Sequence, residues 1–330
     1  LSLLIGNSTT KNTQFPVPGS LLPIRIVMLT ARLTPKTITY ALTFHLALLL
    51  VLWLGHRFGG VRELGLAHSA AMTVFSCLAF SVAFVLNLDV AAEYRNTRWL
   101  RVAWLALAAN AAISAVRMVV ESNLLNLFWS GYKGSPLAGL LQHLAIVPGN
   151  CFLLVGLLAM GYAYHEVGLG FTVKRGDCAL ISAILGLMLA LLVFREGLTE
   201  ARSPYVFSRY LQQTGLIVLS LTAALSVVLY RMAVQMGGGK LALALQWLTV
   251  YVLVRDVLVL VGALQRLAIL NTTNTETKGN LFLLGYLLTL GWQSVGWLAA
   301  LAAAHRAELT MNAARELAQR RAARAALASA

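Results

Sequence analysis

Apolar runs long enough to cross a bilayer recur along this chain from Ile38 to the region of Ala304. No other feature constrains the fold as tightly. A helix needs about 20 residues, rising 1.5 Å each, to cross roughly 30 Å of hydrocarbon. Eight such runs stand out, at about 38–56, 65–88, 100–121, 137–164, 178–197, 208–232, 241–266 and 280–304. The expected fold is therefore all-α, a polytopic transmembrane helical bundle of about eight spans. Composition agrees: 59% of residues are hydrophobic and 12% charged, against about 45–50% and a quarter in soluble domains.

The connections are short and rich in turn residues, as in "RFGG", "WSGYKGSP", "VKRGD" and "QMGGGK". None is long enough to be a soluble domain. The expected organisation is an N-terminal extension (1–37), a transmembrane bundle (38–304) with halves 38–168 and 178–304, and a basic cytoplasmic tail helix (305–330). The extension is expected to be disordered at its start. "MLTARLTPK" from Met28 reads as a plausible native start, with 1–27 an added extension or a gene-model artefact. The tail mixes Ala, Leu and Met with arginine at helical spacing. That pattern suits a solvated continuation of the last span or a helix lying on anionic lipid.

The net charge of +14 comes from basic residues in the connections and the tail. No basic face with groove-reading chemistry accompanies it, so nucleic acid is not an expected partner. Fifteen Lys and Arg, from Arg25 to Arg324, fall on one side of the membrane, and eight fall on the other. The excess of positive charge marks the cytoplasmic side, which puts both termini there. The sequon at Asn271 then lies outside and is a candidate glycosylation site; a second, at Asn7, falls on the wrong side. The expected location is a plasma or secretory-pathway membrane of a eukaryote. Cys77, Cys151 and Cys178 have neither a disulfide nor a zinc spacing. "MGGGK" lacks the strand and the Ser/Thr of a phosphate loop.

An internal repeat is visible. "GNCFLLVGLLAMG" (149–161) resembles "GNLFLLGYLLTLG" (279–291), and "LAL" precedes both Arg117 and Arg255, each in a "VR" pair. Two four-helix halves of the same orientation, a parallel 4+4 repeat, would carry a site where they meet.

The polar residues inside the spans are the candidate site. Arg117 and Arg255 lie at repeat-equivalent places in the outer half of the bilayer, where a lone arginine costs up to about 3 kcal/mol. Adjacent helical residues point about 100° apart, so Arg255 and Asp256 are expected to seek partners on other helices. Glu121, at i+4 from Arg117, can pair within its own span. The cross-pairs Arg117 with Asp256 and Arg255 with Glu121 are the expected ones. His68, Gln142, His143 and Gln293 fall near the same level. The ligand-binding candidates are thus Arg117, Glu121, His68, His143, Arg255, Asp256 and Gln293, around an outward cavity with cationic groups for an anionic head. His45, His68, His143 and His165 lack the paired spacing of a di-haem site, and no cofactor or metal is expected.

The stretches around the two arginines resemble the fungal lipid-translocating exporter family. "ISAVRMVVES" (113–122) and "GYAYHEVG" (161–168), with "VYVLVRDVLVLVG" and "LAAAHRAE", are similar to that family's arginine helix ending in glutamate and its helix closing in His-Pro. The second arginine of the pattern is missing, Glu166 stands where proline follows the histidine, and the acid after Arg255 is Asp256. The resemblance covers under half the chain and implies movement of lipids or amphiphiles.

Three functions fit these observations. The first is binding or translocation of an amphiphilic or lipid-like molecule, with membrane lipids as further partners. The second is an integral membrane enzyme, such as a terpene cyclase, using Glu121 or Asp256 as a protonated acid. The third is a structural subunit whose ion pairs fix helix packing. A retinal protein is disfavoured, since the last two spans offer no buried lysine.

The charge count makes a topological prediction. Tags at both termini should resist external protease, and a tag in the 271–278 loop should be cut. Cleavage at the C-terminus would overturn the assigned orientation.

Overall fold

The structure, a computed structural model, describes residues 33–60, 62–94, 96–121, 131–132, 135–166, 168, 174–199, 206–236, 240–271 and 274–329. Residues 1–32, most of the expected N-terminal extension, lie outside the described residues. Among the described residues eight helices follow in chain order: α1 (Pro35–Gly59), α2 (Arg62–Glu93), α3 (Arg98–Val120), α4 (Pro136–Glu166), α5 (Arg175–Thr199), α6 (Val206–Gln235), α7 (Lys240–Asn271) and α8 (Thr275–Ser329). No strand occurs among the described residues. Seven of the eight are long and apolar enough to span a membrane. The remaining one, α5, has 25 residues, with side chains described only as far as Leu191. The chain is a polytopic helical bundle.

Local chemistry sets the helix ends. At α1 the Thr34 hydroxyl accepts from the Thr37 N–H at 3.2 Å, and Pro35 occupies the first turn, where its missing N–H costs nothing. The helix stops at Gly60, whose φ of 68° is a left-handed conformation that glycine adopts without strain. At α5 the Asp177 carboxylate reaches back to the Lys174 N–H at 3.0 Å, as the third residue of a capping box does. Its other oxygen accepts from Arg231 Nε of α6 at 2.7 Å. That guanidinium holds the Asp177 carboxyl below the usual carboxylate range.

The bundle is packed the way lipid, not water, requires. Its outer surface carries Phe44, Phe282 and Leu189, each about 60% exposed, while much of its interior is alanine. Ala79 and Ala83 of α2, Ala103 of α3 and Ala300 and Ala303 of α8 are completely buried. Without a hydrophobic driving force between helices, small residues allow the close backbone approach on which membrane packing depends. α3 packs between α2 and α4, and α8 packs on α7, α2 and α1. α6 meets α4, α5 and α7.

The tail continues α8 without a break to Ser329. A helix of 55 residues is about 80 Å long, well over twice the hydrocarbon thickness. Its C-terminal part must therefore project beyond the membrane core. His45, which the sequence leaves without an evident partner, is fully buried; its Nδ1 accepts from Trp297 Nε1 of α8 at 3.0 Å. Phe75 stacks on its ring.

One contact is tight enough to test. A Cβ on Gly296 would meet Ala79 Cβ at 2.9 Å and the Phe80 ring at 3.2 Å, whereas one on Gly262 would meet nothing within 4 Å. Gly296→Val should push α8 off α2 and cost about 1–3 kcal/mol. Gly262→Ala should be neutral. Thermal unfolding in detergent compares them, and equal midpoints would refute the close approach.

Candidate functional site

The two intramembrane arginines line one cavity, and they reach it from different helices. Its walls include Ser114 and Arg117 of α3, Gly149 and Asn150 of α4, Arg255 of α7 and Trp292 of α8. The cavity volume is about 10 Å³. A space of that size holds about one water.

Each arginine has a different neighbourhood. Arg117 Nε donates to Glu121 Oε1 at 2.6 Å within α3, and its side chain remains 17% exposed. Its guanidinium lies 5.0 Å from the centre of the Trp292 ring, a cation–π contact that joins α3 to α8. Arg255 is buried. Its Nη2 donates to Asn150 Oδ1 on α4, and its Nη1 stands 4.0 Å from Asp256 Oδ1. Asp256 Oδ2 accepts from the Thr222 hydroxyl of α6 at 3.0 Å.

The expected cross-pairs are thus not the ones found. Arg117 pairs with Glu121 rather than Asp256, and Arg255 faces Asp256 and Asn150 rather than Glu121. The physical reason is reach. The 100° between neighbouring Cβ directions separates the roots of Arg255 and Asp256, but the long arginine stem bends its head back to within 4.0 Å.

A second layer of polar contacts supports the wall. Asn110 Nδ2 donates to the Gly149 carbonyl at 2.7 Å. Tyr251, one turn before Arg255 on α7, donates to Asn110 Oδ1 at 2.8 Å. Pro148 sits inside α4 just before Gly149 and removes one backbone donor there. These amides and the tyrosine hydroxyl knit α3, α4 and α7 at the level of the arginines.

Other sequence candidates lie elsewhere. Gln293 is buried but accepts from Ser76 of α2. His68 contacts Tyr286 Oη at 3.2 Å, beside a stack of Trp53 on Tyr286 with ring centres 4.2 Å apart. The His143 side chain and that of Asn271 are outside the described residues. Glu121 and Asp256 touch the arginines without lining the cavity. Asn110, Asn150, Tyr251 and Trp292 were not among the candidates, although two asparagines inside apolar runs are themselves a polar signal.

The geometry predicts a coupled pair. Arg255 and Asp256 are 5% and 3% exposed, so removing either leaves a buried charge with a hydrogen bond but no counter-ion. Arg255→Ala and Asp256→Ala should each cost about 3–5 kcal/mol. The double variant should cost clearly less than their sum. Denaturation of purified protein measures this, and strict additivity would show that the two charges do not interact.

Comparison with known protein families, with curated proteins and with solved structures finds no match for the chain.

Proposed function

We propose that this multi-pass membrane protein binds, and in binding moves, an amphiphile through its anionic head group, with the arginine cavity as the site. The observation that carries this reading is the convergence of Arg117 and Arg255 on one cavity whose wall, among the described residues, has no carboxylate. Glu121 and Asp256 balance the arginine charges from behind. The wall therefore presents donors: two guanidinia, the Asn110 and Asn150 amides and the Ser114 hydroxyl, while the Tyr251 hydroxyl holds Asn110. In a low dielectric such donors favour a carboxylate or phosphate, and a guanidinium fork matches either. The sequence likeness to lipid-translocating exporters points the same way.

The two-half reading is supported by neighbour relations. If α1–α4 correspond to α5–α8, the contact of α4 with α6 has its counterpart in α8 with α2, and α3 on α4 in α7 on α8. Arg255 touching Asn150 of α4 then corresponds to Arg117 touching Trp292 of α8. On this reading the cavity sits at the seam between halves, and its narrowness describes a closed state that opens as they part.

The enzyme alternative requires an acid facing the substrate. Neither Asp256 nor Glu121 lines the cavity, which favours binding over acid catalysis.

The test uses purified protein in nanodiscs. Lysophosphatidic acid should raise the melting temperature more than lysophosphatidylcholine of the same chain length. Arg117→Gln removes a charge-assisted contact at a partly exposed position, and should weaken anionic binding about 10-fold or more. Equal responses to the two lipids, or an unaffected Arg117→Gln, would overturn the proposal.

A further inference from the structure

A second cavity lies beneath the first. Its walls include Asn87 of α2, Trp104 and Leu107 of α3, Leu248 of α7, and Ala299 and Ala302 of α8. Asn110 and Tyr251 line both cavities, so their hydrogen bond forms the partition. The two spaces are stacked along the helix axes. On α3 the wall moves from Ser114, Arg117 and Met118 to Trp104, Leu107 and Ala111. On α8 it moves from Trp292 and Val295 to Ala299 and Ala302. Seven or so residues at 1.5 Å each on those helices, and about half as many on α7, separate the centres by roughly 5–10 Å.

The lower cavity has a different chemistry. No charged residue lines it among the described residues, and an anion moved there would lose both guanidinia in a low dielectric. Trp104 is 2% exposed, and its indole N–H finds no acceptor among the described residues. An unmet buried donor is costly and marks a place for an acceptor. The cavity volume is about 10 Å³. That fits a single hydroxyl, ester or carbonyl oxygen.

We propose that the lower cavity is a second subsite, in which Trp104 Nε1 donates to an uncharged oxygen of the same molecule whose anionic group is held by Arg117 and Arg255. The inference rests on the anion-binding reading and narrows its substrate class. The preferred ligand is an amphiphile with an anionic group and an uncharged oxygen function roughly 5–10 Å apart. Glycerophospholipids have this spacing of functions; a simple alkyl phosphate has only the anion. As the oxygen passes Tyr251, the ligand displaces or runs beside the Tyr251–Asn110 bond.

The experiment compares lysophosphatidic acid with an alkyl phosphate of matched chain length, by binding to the full chain in nanodiscs. Wild type should prefer lysophosphatidic acid by about 2–10-fold, the worth of one neutral hydrogen bond. Trp104→Phe keeps the ring, removes the donor and should abolish the preference while leaving alkyl phosphate affinity unchanged. Should that variant misfold, Asn87→Ala provides a second alteration of the same wall and should also reduce the preference. Equal wild-type affinities would overturn the subsite and leave the anion site intact. Equal loss of both ligands in Trp104→Phe would also overturn it, since water alone would then fill the cavity. If neither anionic amphiphile binds wild type, the anion-binding reading fails first, and the subsite fails with it.

Discussion

The buried pairing of Arg255 with Asp256 is the constraint around which the rest of the bundle is arranged. Two charges with 5% and 3% exposure cannot be hydrated from lipid, and each must find dipoles on neighbouring helices. Arg255 finds Asn150 on α4, and Asp256 finds Thr222 on α6. One adjacent pair on α7 thereby fixes the rotation and depth of two other helices. Asn110 adds α3 by bonding the Gly149 carbonyl and accepting from Tyr251. Apolar packing alone would let these helices slide with little penalty, because lipid tails and leucine side chains are equivalent surroundings.

The two arginines that look alike in sequence have separate physical situations. Arg255 is enclosed, its second nitrogen directed at a carboxylate without hydrogen-bonding to it. Arg117 is partly exposed, held on one side by Glu121 and on the other by the face of Trp292. A guanidinium stacked on an aromatic ring keeps its in-plane N–H groups available. On the proposed reading Arg117 meets the anion and Arg255 defines the floor of the site.

The helical fold was legible because periodicity hardly matters here: runs of twenty apolar residues punctuated by Gly, Pro and Asn permit little else. Helix ends such as Thr34–Pro35 and Gly60 follow from local capping chemistry. The partners were not legible, because they depend on how α4, α6 and α7 are rotated against one another. Considering Cβ directions alone sent Arg255 toward Glu121, when the length of its stem let it bend toward Asp256. Asn110 and Asn150 were visible as amides inside apolar runs. Their roles need the neighbouring helix: Asn150 matters because Arg255 lies opposite, and Gln293 matters less because Ser76 satisfies it.

The same pattern explains why a polar column survives inside an alanine-rich interior. Small side chains at Ala111, Ala299 and Ala302 line the space between α3 and α8 without filling it, beside Asn87, Trp104 and Tyr251. Larger residues there would fill the spaces and force the indole N–H and the tyrosine hydroxyl outward, where no lipid chain can accept a hydrogen bond. Shielding without filling leaves narrow cavities bounded by donors, with a hydrogen bond between them that is worth only about 1 kcal/mol. On the proposed reading a bond of that strength yields to an incoming acceptor, while the charged floor fixed by Arg255 and Asp256 stays in place.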